Sequence, residues 1–389
     1  MASPISDEAA GYEQVRYLPG VDKPSMETQV ITAVTAIKAY NVAIVGATGL
    51  VGQELLRCLQ QRAFPLGRVR LLASARSAGM RIPFNQDEVV VEETSPDVLK
   101  RTELAFFAAA PEVSAQLAST TIKNGTVVID IANAFPADDR VPIIVPEVNL
   151  ADLRKQAKII VSPTAVAIMM AVVLAPIHKL NPIKRILVST YESVSGSGAV
   201  AVEELSTQTR SVLDGRPVIP HYYPHQIAFN LLPETDVFLD NGYSREEWRI
   251  AREVRRLLHA PNLPISATTV RVPVYYGHAA SVHIELTRRM TPDQARLLLA
   301  ASPGVRVLDD PSVSLYPQSW VAAGQDDVFV GRIREDETHD HGLLLWIVAD
   351  NIRKGAALNA VQIAEALVER GWLDTPPASP QREDDSKSL

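Results

Sequence analysis

The chain has a single cysteine, Cys58, in 389 residues, so no internal disulfide can form and the count fits a reducing, cytoplasmic setting. Positive charge is also short. Against 45 acidic residues stand 38 basic ones, a net charge of −7, which excludes the cationic surface that non-specific binding to nucleic acid or to an acidic membrane needs. No secretory signal is present in the first ten residues, which hold Asp7 and Glu8 but neither a basic residue nor an apolar run. Only one uncharged stretch approaches membrane-spanning length, residues 159–177. Ser162, Pro163, Thr164 and Pro176 interrupt it, so it divides into a short strand at 159–161, a turn, and a buried helix that begins near Ala165. There is no internal repeat and no metal-ligand spacing. His339 and His341 flank Asp340 without a distant partner, the mark of a solvated turn. Cys58 lies among Leu55 and Leu59 on a helix expected to pack on a sheet, and reads as a small buried side chain.

Present in quantity are apolar residues, 47% of the chain against 21% charged, enough core for a globular protein of two or three domains. Residues 41–45 are a continuous apolar run that ends in Gly46-Ala47-Thr48-Gly49-Leu50-Val51-Gly52, and residues 51–61 show helical spacing. Glycine lets the turn tighten and the backbone approach a pyrophosphate, while the following helix offers free N–H groups and the positive end of its dipole. Further apolar runs at 69–72, 104–107 and 126–131, separated by helical segments, predict a parallel, doubly wound sheet. Beyond Ala165 the pattern changes to longer period-2 strands at 268–274 and 280–286, an antiparallel or mixed sheet covered by helices at 198–213, 245–258 and 292–301. An NAD-selective site places an acid at the end of the second strand; here that position runs into Ser74-Ala75-Arg76-Ser77, whose cation and hydroxyls suit a 2′-phosphate.

These motifs, with Ser189-Thr190-Tyr191-Glu192-Ser193-Val194-Ser195-Gly196, Arg271-Val272-Pro273-Val274-Tyr275-Tyr276-Gly277-His278 and Asp350-Asn351-Ile352-Arg353-Lys354-Gly355, resemble the aspartate-β-semialdehyde dehydrogenase family over roughly residues 40 to 370. The resemblance implies an NADP-binding domain at 36–165 and 352–372, on which the last helix, 354–369, returns to pack, and a substrate-binding and dimerisation domain at 166–351. A flexible extension at 1–35 and a disordered tail at 373–389 flank them. Gly46, Thr48, Gly49, Leu50, Val51, Gly52, Ser74, Arg76, Ser77 and Asn351 would hold NADP, with Ala108-Ala109-Ala110-Pro111 crowding the nicotinamide end. Arg271, Glu246 and Arg249 would bind substrate, with His278 at the position of the family's base.

Four positions depart from the family pattern. The family's nucleophilic cysteine is Ala165 here, the asparagine before it is Thr164, its glutamine is Glu192 and its phosphate-binding arginine is Pro136. A methyl group cannot attack an aldehyde, and exchanging a guanidinium for proline and an amide for a carboxylate makes the pocket more negative. Thr164 has no base at matching sequence spacing. In these respects the chain resembles the cysteine-lacking, USG-1-like branch of the family. The expectation is therefore a homodimeric homologue that binds NADP and a small carboxylate, lacks thiol-dependent semialdehyde chemistry and serves in binding or regulation. The alternatives are an NADP-dependent oxidoreductase working without a covalent intermediate, with Glu192 or His278 as acid or base, or an active semialdehyde dehydrogenase of lysine, methionine and threonine biosynthesis.

Overall fold

Strand β1 (Tyr40–Val45) is buried along nearly its whole length, as its apolar run requires, and it feeds through the glycine turn into helix α1 (Leu50–Gln61). The structure, a computed structural model, describes residues 38–135 and 138–373. The expected N-terminal extension, Pro136 and the tail beyond Leu373 lie outside them. β2 (Leu66–Ala73), the hairpin β3 (Arg81–Phe84) and β4 (Asp87–Glu93), β5 (Leu104–Phe107), α2 (Pro111–Lys123), β6 (Val127–Asp130), the single turn α3 (Pro146–Asn149) and β7 (Ile159–Val161) follow. The sheet order is β3-β4-β2-β1-β5-β6-β7, parallel except at β3. Because β1 lies between β2 and β5, the winding reverses beside it, and the glycine turn stands at that switch point, where open parallel sheets bind ligands.

Helix α4 (Ala165–Leu180) then carries the chain to a second sheet. It is apolar on all sides and correspondingly buried, packing on the helices and strands of that second part. This second part runs β8 (Ile183–Glu192), α5 (Ala199–Leu213), α6 (Arg245–Leu257), β9 (Ile265–Arg271), β10 (His278–Leu286), α7 (Pro292–Ala300), β11 (Val305–Val307), α8 (Ser319–Ala322), β12 (Val328–Glu335) and β13 (Gly342–Ala349). Its sheet, ordered β11-β12-β13-β10-β8-β9, is mixed. The doubly wound parallel sheet with a second, mixed-sheet part is thus the architecture observed. Ser244 and Glu247 close a capping box at the start of α6, which fixes where that helix begins.

Two boundaries differ from the sequence reading. The strand expected through Val274 stops at Arg271, because Pro273 has no N–H to give a ladder and Val274 N instead bonds Val272 O at 2.8 Å. The helix expected from Lys354 opens with a π-helical turn, Arg353–Ala357, before α9 (Leu358–Glu369). Charges hold that wider turn. Lys354, 1% exposed, gives its ammonium to both Glu147 oxygens at 2.8 Å and to Gln362 Oε1 at 2.8 Å. Arg353 reaches Glu54 at 2.6 Å, Gln61 at 2.7 Å and Asp326 at 2.5 Å.

Removing one member of a buried pair strands the other, at a cost of about 3–5 kcal/mol. Lys354→Met is therefore expected to move the urea unfolding midpoint markedly downward while Gln362→Ala moves it little. A Lys354→Met midpoint equal to that of the unmodified protein would show that the turn does not depend on this pair.

Candidate functional site

A cavity of about 470 Å³ opens where the glycine turn, the N-terminus of α4 and the ends of β8, β9 and β10 converge. From the first sheet, Gly49, Leu50 and Val51 line it at the start of α1. No side chain caps that helix, which leaves its first-turn N–H groups for an anion. The turn and the first turn of α1 each admit only glycine at one place. A Cβ on Gly46, whose φ is +90°, would stand 2.6 Å from Ala108 O, and one on Gly52 would stand 2.3 Å from Gly46 O. These features fit a dinucleotide pyrophosphate.

Across the cavity stand Glu192, Arg271, His278, Glu246, Arg249 and Asn351, with Thr164 and Ala165 at the head of α4. Glu192 and Arg271 are register partners on parallel strands, with Glu192 Oε2 3.4 Å from Arg271 Nη1. Arg271 Nη1 also donates to Ser193 O at 2.9 Å, while its buried Nε has no hydrogen-bond partner among the described residues. Burial raises the Glu192 carboxyl above its ordinary range, a shift that Arg271 and Thr190 only partly offset. Burial likewise raises Glu246, with the Glu192 charge adding to it, although Arg249 lies 3.2 Å away. His278 is pushed well below its usual value, first by burial and then by Arg271, so it is neutral at physiological pH. Ser193 N–H donates to His278 Nδ1 at 3.2 Å. That bond makes Nδ1 the acceptor and assigns the ring hydrogen to Nε2. Nε2 in turn lies 3.1 Å from where a Cβ on Gly196 would be, and Arg271 Nη1 lies 3.0 Å from the same point. The absence of a side chain at Gly196 is what gives both groups access to the cavity. Asn351 fastens the arrangement, accepting from Ser193 Oγ at 3.0 Å and from Gly277 N at 2.9 Å.

Residues 41–156 match the semialdehyde dehydrogenase NAD-binding domain, and residues 174–354 match the semialdehyde dehydrogenase dimerisation domain. An aspartate-semialdehyde dehydrogenase of Aquifex aeolicus (strain VF5) is 46% identical over 338 residues, which cover 86% of this chain and 99% of that protein. The chain belongs to the aspartate-semialdehyde dehydrogenase family. Another member, from Bacillus subtilis (strain 168), is 44% identical over 338 residues, covering 85% of this chain and 98% of its own. The crystal structure of aspartate semialdehyde dehydrogenase II from Vibrio cholerae complexed with ASA has a TM-score of 0.82 to this fold at 42% identity, covering 85% of this chain and 99% of that one. A structure of a probable aspartate-semialdehyde dehydrogenase from Pseudomonas aeruginosa gives 0.81 at 37% identity, covering 86% and 100%.

Of the candidates that the family resemblance picks out, Gly49, Leu50, Val51, Ala165, Glu192, Glu246, Arg249, Arg271, His278 and Asn351 line one cavity. Gly46 and Thr48 belong to the turn behind it, and Gly52 to the first turn of α1. Ser74, Arg76 and Ser77 lie at the end of β2, outside the lining, with Ser74 and Arg76 exposed and Ser77 half-buried. Of residues 108–111 only Ala108 reaches the cavity. Three contributors escaped the sequence reading. Glu253 accepts from Thr164 N at 2.9 Å and from Thr164 Oγ1 at 2.7 Å, a contact across 89 positions that no local pattern marks. Ser193, inside a motif already noted, holds His278. Glu93, paired with Ala73 on β4, puts an acid one strand beyond Arg76.

Cys58 is fully buried on α1, away from the cavity lining, and burial pushes its thiol up to about 12. Thiolate, not thiol, reacts with alkylating agents. Iodoacetamide at pH 8 is expected to leave the native protein unmodified and to label one cysteine in urea; rapid native labelling would mean that this helix opens to solvent.

Proposed function

We propose that this member of the family is a cytoplasmic, NADP-dependent oxidoreductase that reduces a small carboxylate-bearing aldehyde by direct hydride transfer, with no covalent enzyme intermediate. One observation carries the reading: the cavity surrounds the Ala165 methyl with Arg271, His278, Glu246 and Arg249. The binding and proton-handling groups remain where the nucleophile does not. Arg271, with Nε open, takes the substrate carboxylate. Bound NADPH supplies the hydride. Neutral His278 presents Nε2–H to the carbonyl oxygen and stabilises the charge developing there, as neutral imidazoles can in buried sites. The buried carboxyl of Glu246, pushed up to about 8 by burial and by the Glu192 charge beside it, gives that oxygen its proton. The aldehyde carbon gains hydride, its oxygen gains a proton, and the product is a primary alcohol. Thr164 is given no attack in this scheme; its hydroxyl caps α4 through Ala167 N and donates to Glu253.

The near-complete coverage of catalytic relatives, 99% of the Aquifex aeolicus protein, supports an enzyme of amino-acid biosynthesis over a purely binding or regulatory role. The same relatives support a phosphorylating semialdehyde dehydrogenase, whose thiol step lacks an atom at Ala165. The dimerisation-domain match supports a homodimer, which sedimentation velocity tests directly. Arg76 with Ser74 and Ser77 supports a preference for NADP over NAD, and Glu93 opposes it. Calorimetry should show NADPH binding more tightly than NADH, with Arg76→Ala narrowing the gap; equal affinities in the unmodified protein would remove the assignment.

Aspartate semialdehyde with NADPH is expected to give the alcohol at a rate indifferent to inorganic phosphate. Phosphate-dependent reduction of NADP⁺ by the aldehyde would establish the covalent route instead. Tight NADPH binding with no turnover in either direction would leave the binding role.

A further inference from the structure

We infer that Glu192 is the internal counter-ion of Arg271, so that a ligand carboxylate enters this cavity only together with a proton. The inference rests on the reading above that Arg271 receives the carboxylate. Glu192 and Arg271 are 4% and 5% exposed, joined at 3.4 Å across adjacent strands. Thr190 Oγ1 holds the other Glu192 oxygen at 3.0 Å. On the cavity side, the unpartnered Arg271 Nε and the empty Cβ position of Gly196 leave one approach to the guanidinium. A carboxylate arriving there would share one buried cation with Glu192, and two carboxylates on one site cannot both stay ionised cheaply.

Arg249 is the other cation among the residues that line the cavity. On α6, Arg249 is already paired with Glu246 at 3.2 Å and lies 3.9 Å from Asp236. Also on α6, Glu247 is committed to Ser244 N at 2.6 Å and Thr269 N at 2.9 Å, and its charge adds to the repulsion at Glu192. On β10, His278 is neutral. Protonation of Glu192 is the remaining relief, and its burial already inclines it that way. An amide in its place would leave Arg271 fully charged at every pH, so this residue sets both the charge class of ligand and the pH range in which it binds. The sign follows from linkage. Glu192 has a higher pKa with ligand than without, so affinity is greatest at low pH, falls by about tenfold per pH unit between the two values, and levels off above the second.

The test is calorimetry of the full-length protein with saturating NADPH, using butyrate as the carboxylate probe and butyramide as the uncharged control. Titrations in buffers of different ionisation enthalpy count protons. The unmodified protein at pH 7.5 is expected to take up about one proton per carboxylate bound and none with the amide. Glu192→Gln, of nearly the same shape, should take up none and should bind the carboxylate at least about tenfold more tightly at pH 8, with NADPH affinity showing that it has folded. Carboxylate binding without proton uptake, equal in both proteins but abolished by Arg271→Ala, would overturn this inference and leave the site reading standing. Binding unaffected by Arg271→Ala, or no binding to either protein, would overturn both.

Discussion

Residues 350–359 bind the two sheets together at the cavity, and the buried cations Arg353 and Lys354 hold that segment in place. Arg353 ties the π-helical turn to α1, whose N-terminus offers the anion site, and Lys354 ties it to Glu147 on α3. Asp350 caps the turn from within, taking Ile352 N and Arg353 N on one oxygen. Asn359 closes the far end with bonds to Ile144 O and Ser162 Oγ. Between these anchors lie Asn351, which orders the Ser193–His278 pair, and Gly355, whose missing Cβ would have stood 2.6 Å from the Ala165 methyl. A shift of this turn would therefore move the nucleotide helix, the imidazole support and the floor under Ala165 together. Such ion pairs carry a desolvation cost that their many partners offset, and geometry rather than raw stability is what they supply here.

Charge balance separates this pocket from one built around a thiolate. Glu192 lies 3.4 Å from Arg271 as its counter-ion, Glu246 stands 3.2 Å from Arg249 with its carboxyl raised by burial, and His278 is uncharged. A thiolate nucleophile gains from nearby positive charge; hydride transfer to a carbonyl needs a hydrogen-bond donor at oxygen and a proton. The groups present suit the second demand, and both protons sit on buried groups shielded from solvent.

Much of the first sheet was legible because its strands are buried on both faces and read as unbroken apolar runs, as at Ile44, Phe106 and Ile129. The β3–β4 hairpin was not, since Asp87, Glu88, Glu92 and Glu93 obscure its alternation and Pro83 argues against a strand. The glycine turn and the Arg271 to His278 spacing identified the residues that meet in the cavity. What those residues do to one another was hidden. The Ser193–His278 bond spans 85 positions and the Ser193–Asn351 bond 158, and only the fold says that Glu192 faces Arg271 rather than solvent. Ala165 offers no thiol to the cavity, and the one cysteine among the described residues, Cys58, is packed against Glu54 and Arg353.

Reduction without a bond between enzyme and substrate leaves the protein's mass unchanged, which intact mass spectrometry of the protein quenched in acid during steady turnover with aldehyde and nucleotide measures. The alcohol is expected to accumulate while the protein keeps its unmodified mass at every time point. An acyl or hemiacetal adduct that forms and decays at the rate of turnover, mapped to Thr164 or to any other side chain, would contradict it.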